Sequence, residues 1–515
     1  MKKFLLPLTV AVSAALAQQP KFYTDDPLLK EPAPLNIEKA KARKLSDYYD
    51  LFSHQFGKLG ERHPQNGPPI RAKAVNTLGE PMDGAWYTHR HYFKRMTKEE
   101  LEAGPGNRRP PAGQQWTVVG AKSEGITPGF TILDGNGQRY FIKFDPISNP
   151  EMATAADSIS SRFFYALGYH VPENYIIQFD PEQLKLGDDV ELADSTGRKR
   201  KMTRRDIYEI LVKVPKSDDG LYRATASRAI DGKPMGPPRY YGTRRDDPND
   251  IVPHEHRRDL RGLHVFCAWL DHDDSRSINN YDALVKENGV QFFRHYLLDF
   301  GSTLGSGSQR PNSARSGAYF FTWKGSAKQL GTLGLMPPYW ALARYQYFPS
   351  IGYIEGDVFD PDLWVPEYPN PAFINRLPDD EFWAAKQVMA FTDEDIKTLV
   401  ATGELSDGRA ETYLVEVLKK RRDKIGAKYF AKVLPFDRFR LDTSGKLLWD
   451  DLSKSINDAK VAWFSYDNKT GTRTPAANSS PSGYSLAVVS SATRPKQTIE
   501  VYLRDGNIIG IDRHW

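Results

Sequence analysis

The spacing of apolar positions changes several times along this chain, and each change marks an element boundary. Between Trp116 and Phe144 the pattern is that of strands: Trp116-Thr117-Val118-Val119, then Phe130–Leu133, then Arg139–Phe144. Asp134-Gly135-Asn136-Gly137 separates the last two with residues that tolerate positive φ, which predicts a hairpin turn. From Asn149 the period lengthens. Met152, Ala155, Ala156, Ile159, Phe163 and Leu167 fall on one helical stripe, with Asn149 to cap, Pro150 in the first turn and Gly168 to stop it. Tyr175–Ile177 and Leu221–Ile230 return to strand spacing, and the polar, turn-rich stretch 181–201 reads as an insertion between them.

Residues 231–250 are rich in Gly, Pro and Arg and read as a crossing between two lobes. Arg239, Arg244 and Arg245 are there either to face phosphate or an acidic substrate, or as members of a solvated loop. His254-Glu255-His256 opens a helix with Leu260, Leu263, Phe266, Cys267 and Leu270 on one side. Tyr281–Leu284 and Val290–Leu298 then form a hairpin around Lys286–Gly289. Gly/Ser-rich chain follows to Gly317, then aromatic-rich sequence, then helices over 379–391, 393–402 and 408–426. After Phe436 short alternating runs split by Asn, Gly, Ser and Pro predict a small all-β unit over 436–515. Ahead of all this, residues 18–36 read as an extended arm and 37–56 as a helix with Tyr48, Leu51, Phe52 and Phe56 on one face. Residues 57–115 are loop-rich, with one helical piece near Lys98–Glu102, and would have to wrap a lobe.

At 515 residues the chain is long enough for two or three globular units, and its 26 tyrosines, 26 phenylalanines and 10 tryptophans supply ample core. Lys2 and Lys3 precede an apolar run from Phe4 to Leu16 that ends in small residues, the pattern of a secretory leader cut after Ala17. That run is too short to span a bilayer comfortably, and no later segment approaches eighteen continuous apolar residues. Cleavage removes two lysines and no acid, so the net charge falls from +5 to 68 − 65 = +3. So balanced a charge gives no case for nucleic acid as a partner. The single cysteine, Cys267, rules out an internal disulfide and sits where a small buried hydrophobe belongs.

Candidate chemistry gathers between Asp271 and Gly301. His272-Asp273-Asp274-Ser275-Arg276-Ser277-Ile278-Asn279 has the spacing H-x-D-x-x-x-x-N, and Asp299-Phe300-Gly301 follows the hairpin about twenty residues later. Phosphoryl transfer needs a carboxylate to accept the hydroxyl proton, and an amide oxygen plus a second carboxylate to hold a metal. In this order the two motifs, with the lysine-bearing strand upstream, resemble the protein-kinase-like superfamily, nearest its atypical bacterial HipA-like and CotH-like branches.

That resemblance covers roughly residues 115–430 and implies an α+β, bilobal protein-kinase-like fold. A small β-rich lobe (115–235) and a larger helical lobe (236–435) would lie between the N-terminal arm (18–114) and the β appendage. It implies Asp274 as the base, and Asn279 and Asp299 as metal ligands, with Asn280 the fallback if the register slips by one. Lys143 would pair with an acid on the following helix. Asp157 fits the family's position with a shorter side chain than its usual glutamate, while Glu151 has an ordinary helix-dipole explanation. Gly120, Gly125 and Gly129 would line the phosphate loop without matching its usual spacing. Arg276 lies where phosphate needs neutralising. ATP with Mg²⁺ or Mn²⁺ is the implied cofactor set, and the acceptor is an unspecified protein, glycan or small-molecule hydroxyl. Nucleotidyl transfer and a catalytically weak binding protein are alternatives on the same fold. A metallohydrolase built on His254, His256, His272 and Asp271 or Asp273 is the alternative from a different class.

Overall fold

The computed structural model describes residues 19–57, 68–106, 110–122, 128–193, 199–312 and 316–515; the leader expected over 1–17 and Gly125 lie outside them. The first described stretch is extended and lies over the rest of the chain. The Lys21 N–H donates to the Asn468 carbonyl at 3.0 Å, and the Ile37 N–H to that of Gln291 at 2.8 Å. Ile37 is buried with Met235 and Phe293. That docking overrides the helical spacing expected over 37–56. Helix α1 spans only Asp47–Phe52, followed by a π-helical turn to Gly57. Tyr48, Phe52 and Phe56 are exposed rather than buried. Downstream, Tyr87 sits wholly inside the large-lobe core with its hydroxyl on Gln387 at 2.7 Å. Helix α2 (Lys98–Ala103) starts from a Thr97/Glu100 capping box.

The small lobe is built on β1 (Trp116–Lys122), β2 (Gly129–Leu133), β3 (Arg139–Lys143), α3 (Met152–Ala166) and β4 (Asn174–Phe179), followed by β5 (Leu184–Leu186), β6 (Glu191–Ala193), β7 (Lys199–Lys201), α4 (Arg204–Leu211) and β8 (Tyr222–Arg228). Its main sheet has the order β4-β8-β3-β2-β1-β5. The β2–β3 turn forms as its residues predict. Gly137 takes φ 75°, and the Asp134 carboxylate accepts the Asn136 and Gln138 N–H groups at 2.9 Å. On β3 the core side carries Tyr140 and Ile142, which leaves Phe141 exposed and Lys143 meeting Asp157 of α3 on the opposite face. Residues 181–201 are more than an insertion, because Leu184, Val190 and Leu192 join the small-lobe core and β5 pairs with β1. Helix α4 covers that core with Ile207, Ile210 and Leu211.

Helix α3 starts later than the Asn149-Pro150 signal suggests. Asp145 caps it, accepting the Thr154 N–H at 2.8 Å, while the Asn149 side chain turns away to the Pro349 carbonyl at 3.0 Å. Gly168, at φ 109°, ends it; a Cβ there would run into the Tyr87 ring.

The larger lobe contains β9 (Lys233–Pro234), α5 (Arg258–Leu270), β10 (Asn280–Glu287), β11 (Val290–Leu297), α6 (Trp323–Gly331), α7 (Pro371–Ile374), α8 (Pro378–Val388), α9 (Asp393–Ala401) and α10 (Gly408–Phe430). Every residue of α5 is buried, Cys267 included, and the Trp269 indole N–H donates to the Leu418 carbonyl of α10 at 2.9 Å. The last three helices match the expected segments, with α10 running one turn further.

From Phe436 the chain is all β: β12 (Phe436–Leu441), β13 (Leu447–Asp451), β14 (Ala459–Tyr466), β15 (Arg473–Ala476), β16 (Tyr484–Ser491), β17 (Thr498–Arg504) and β18 (Asn507–His514). The last five form one antiparallel sheet in the order β15-β14-β16-β17-β18. The buried Asp437 fastens this unit to the helices, taking Lys386 of α8 at 2.8 Å and Arg513 at 3.1 Å. The architecture is therefore α+β: a β-rich small lobe, a helical large lobe and a C-terminal β unit. No helix among the described residues is long and apolar enough to cross a membrane.

Candidate active site

Four elements carry the polar and charged groups of the candidate site. Helix α5 ends at Asp271, whose left-handed backbone (φ 52°, ψ 46°) turns the chain into the loop that follows. The hairpin β10–β11 carries the chain out and back, pairing Asn280 with Leu297, and the Leu298 N–H donates to the Asn279 carbonyl at 2.9 Å. That register sets Asn279 beside Asp299. From the small lobe, β3 contributes Lys143 and α3 contributes Asp157.

Lys143 lies 2.9 Å from Asp299 Oδ1 and 3.5 Å from Asp157 Oδ2. Burial alone would lower the ammonium's pKa, but the carboxylates of Asp157 and Asp299 override it and hold it above the usual lysine value. Asp157 is buried, and its Oδ1 accepts the Phe300 N–H at 3.1 Å and the Asn174 amide at 3.2 Å. Desolvation raises its pKa, and Lys143 opposes that rise. Glu151 goes elsewhere, to the Ser406 N–H at 2.9 Å. The shorter aspartate therefore reaches the lysine, although less closely than Asp299 does. Asp299 itself adopts a left-handed backbone (φ 59°), which drives Phe300 inward while the carboxylate stays at the cleft. Phe300 stacks on Phe164 of α3 with centroids 5.1 Å apart and meets His272 at 6.1 Å. Burying such a ring stabilises by about 1.5–3 kcal/mol, which ties α3 to the loop through one side chain.

In the loop, Arg276 is ion-paired with Asp274, with Asp47 of α1 at 2.5 Å, and more loosely with Glu367 at 3.6 Å. The Asn279 amide nitrogen donates to the Asp274 carbonyl at 2.7 Å, leaving the amide oxygen as its acceptor end. The neighbouring Asn280 donates from its amide nitrogen to the Tyr240 hydroxyl at 3.0 Å and the Arg276 carbonyl at 2.8 Å. His272 is buried and held below the usual histidine pKa by desolvation, partly offset by Asp274 and Asp299.

The alternative histidine set does not come together. His254 is bonded at Nε2 to Asp250 (2.9 Å) and at Nδ1 to the Arg239 carbonyl, and His256 Nδ1 faces the Arg261 guanidinium at 2.8 Å. Asp271 is held by Trp364 (2.9 Å), Arg421 (3.2 Å) and Ser316 (2.9 Å), and Asp273 by Asn312 (3.1 Å) and Ser316 (3.1 Å). Burial and the adjacent Asp271 push the Asp273 carboxyl well up. Among the described residues no group of three His, Cys, Asp or Glu is placed to hold a metal.

The interlobe arginines divide. Arg244 does not face phosphate: it is buried against Asp282 at 2.7 Å, because a buried guanidinium needs an anionic partner. Arg239 and Arg245 are exposed. Gly120 stands opposite Thr131 and Gly129 opposite Lys143, on β1 and β2, while Gly125 lies outside the described residues. Gly129 has a backbone reason to be glycine, since a Cβ there would overlap the Ile142 carbonyl oxygen.

Three contributors carry no local signal in the sequence. Asn174, fixed by the Ser227 hydroxyl at 2.6 Å, braces Asp157; Phe164 receives Phe300; and Asp47 reaches Arg276 from an arm 229 residues away.

No family model matches the chain, and no curated protein matches it. Solved structures similar to it include two of one kinase. A crystal structure of the Golgi casein kinase is 10% identical over 65% of this chain and 75% of that one, with a TM-score of 0.33. The same kinase with Mn/ADP bound is 9% identical over 65% and 74%, with a TM-score of 0.32. Superposition that loose says nothing about chemistry, which has to come from the cleft itself.

Proposed function

We propose that the cleft between the lobes transfers a phosphoryl group from a nucleoside triphosphate to a hydroxyl acceptor. The observation that carries this reading is the single ion-pair network joining Lys143 of β3, Asp157 of α3 and Asp299 after β11. A cation braced by a buried carboxylate and facing an exposed one is the arrangement that positions phosphates against a metal ligand.

The donor set fits a hard divalent cation. The Asp299 carboxylate and the Asn279 amide oxygen are oxygen ligands suited to Mg²⁺ or Mn²⁺, and they would hold the ion that neutralises the phosphates. Lys143, kept charged by its two acids, would orient the phosphates from the small-lobe side. Asp274 would accept the proton of the acceptor hydroxyl, and Arg276 beside it would offset the charge of the transferred group. Gly129 stands opposite Lys143, so the Gly120- and Gly129-bearing strands of the small lobe would cover the phosphates. The acceptor is a protein, glycan or small molecule carrying a hydroxyl, and export by the leader over 1–17 would place the reaction in a bacterial periplasm or outside the cell.

One observation favours a second reading, nucleotide binding without transfer: the Asp274 carboxylate is already engaged by Arg276. Incubation with γ-labelled and α-labelled ATP separates the cases. Acquisition of γ-label by the protein itself or by an extract supports phosphoryl transfer, and α-label points to nucleotidyl transfer. A thermal shift with ATP and Mn²⁺ but neither label transferred would leave binding alone. No shift with any nucleotide and metal would overturn both readings.

A further inference from the structure

Downstream of the cleft the chain builds a surface with no use in phosphoryl transfer. Helix α6 (Trp323–Gly331) buries none of its residues, which is unusual for a helix of nine residues. Isolated helices that short are marginal in water and are normally held by a packed apolar face. Its apolar residues do lie on one face, Trp323, Ala327 and Leu330 at i, i+4 and i+7, and that face meets solvent. The loop beyond continues the same character. Trp323 is 71% exposed, Leu333 87% and Leu335 84%, with Leu330, Met336, Leu342 and Tyr347 also exposed. A run of rings joins this patch to α1: Phe52 to Phe56 at 5.8 Å, Phe56 to Phe321 at 5.6 Å, and Phe321 to Trp323 at 4.9 Å.

Charge decides what this patch fits. Between Phe300 and Ile354 the only charged residues are Arg310, Arg315, Lys324, Lys328 and Arg344, and there is no acid. Lys324 and Lys328, four apart on α6, flank the apolar stripe and are exposed. Exposed Trp, Leu and Met bordered by lysine and free of carboxylates are what an interfacial segment requires. The apolar groups enter the acyl boundary, and the ammonium groups stay among anionic headgroups. We propose that residues 323–347, extended by Phe52 of α1 and Phe56 of the π-helical turn after it, dock this protein on the surface of an anionic lipid bilayer. Asp47 of α1 reaches the Asp274 loop through Arg276, so docking would hold the cleft's acceptor side near the membrane.

The test does not depend on activity. Full-length protein is floated with vesicles of phosphatidylcholine alone and of equal parts phosphatidylcholine and phosphatidylglycerol, at low and high salt. Wild type is expected to float with the anionic vesicles only, and less at high salt. Lys324→Gln with Lys328→Gln should weaken partitioning by about fivefold per lysine. Trp323→Ala with Leu333→Ser and Leu335→Ser should abolish it, with thermal unfolding nearly unchanged because all three side chains are mostly exposed. Absence of binding to anionic vesicles, equal salt-insensitive binding to neutral ones, or lysine variants that bind like wild type would each overturn the proposal. So would sedimentation showing a dimer that the Trp323 variant dissolves, since a second copy would then be the occupant.

Discussion

Replacing Lys143 by Met removes the cation from the cleft while keeping most of the side chain's length, which makes it the sharpest probe of the network. Asp157 then remains buried with Asp299 as its nearest like charge and only the Phe300 and Asn174 hydrogen bonds to support it. At the 3.5 Å separation of Lys143 from Asp157, an effective dielectric near 20 gives an attraction of about 5 kcal/mol. The lysine side chain is 35% exposed, so screening reduces that to roughly 2–3 kcal/mol. Proton uptake limits the loss. Burial already raises the Asp157 pKa and Lys143 is the main influence lowering it, so the variant's carboxyl moves further up. Between the unfolded-state value near 4 and that raised folded value, the folded variant binds one more proton than the unfolded chain. Its stability therefore falls as pH rises through this window, by at most about 1.4 kcal/mol per pH unit. Thermal melts of wild type and Lys143→Met at pH 8 and pH 5 read this out. The deficit should be about 2–3 °C at pH 8, at roughly 1 °C per kcal/mol for a chain of ~500 residues, and less than half of that at pH 5. A deficit equal at both pH values, or larger at pH 5, would refute the assignment of Asp157 as the buried partner.

Asp274→Ala should leave nucleotide affinity nearly unchanged and reduce turnover by a factor on the order of 10²–10⁴, the range for loss of a general base; unchanged turnover in a label-transfer assay would remove Asp274 from the reaction. Asp299→Ala should abolish the thermal shift caused by ATP with Mn²⁺, because the phosphates lose their counter-charge; a retained shift would mean the metal is held elsewhere. Gly129→Ala should destabilise the small lobe by more than the ~1 kcal/mol of an ordinary glycine substitution, since the new Cβ meets the Ile142 carbonyl; a neutral melt would show that β2 can shift to make room.

The legible parts of the sequence were those where local chemistry and tertiary structure ask for the same thing. Asp134–Gly137 makes its turn with its own side chain, so its residues suffice to predict it. The β10–β11 hairpin is likewise local, and it alone sets Asn279 beside Asp299. Misreadings came where a distant partner decided the outcome. The spacing from Ile37 to Phe56 suits a helix, but Ile37 is captured by the strand carrying Gln291. Asn149-Pro150 has the chemistry of a helix start, yet Asp145 reaches Thr154 first. Arg244 lies in a polar, arginine-rich stretch, and only the fold brings Asp282 to it. The braces of the site, Asn174 and Asp47, are unreadable for the same reason: nothing near them in sequence says what they will touch.

Helix α3 bears on how this cleft is controlled. A pairing acid on a mobile helix lets a protein make and break the lysine contact by swinging the helix. Here nearly all of α3 is buried, and it is held at several points along its length. Ser158 donates to the Thr402 carbonyl at 2.8 Å, Ser160 meets Thr303 at 2.6 Å, and Arg162 reaches the Glu102 carbonyl of α2 at 2.6 Å. Ile159 packs so closely on Gly403 that a Cβ there would intrude on it. Moving α3 outward would break those hydrogen bonds, at about 1 kcal/mol each or more where a polar group is left buried, and would unstack Phe164 from Phe300 as well. The sum is several kcal/mol, beyond what a single ligand contact supplies. The short reach of Asp157 works against a swinging helix for the same reason, because it makes contact only while α3 stays close. The Lys143–Asp157 pair is thus a fixed feature of the fold. The contacts that a smaller movement could break are those of Arg276 with Asp47 and Glu367 on the loop that carries Asp274.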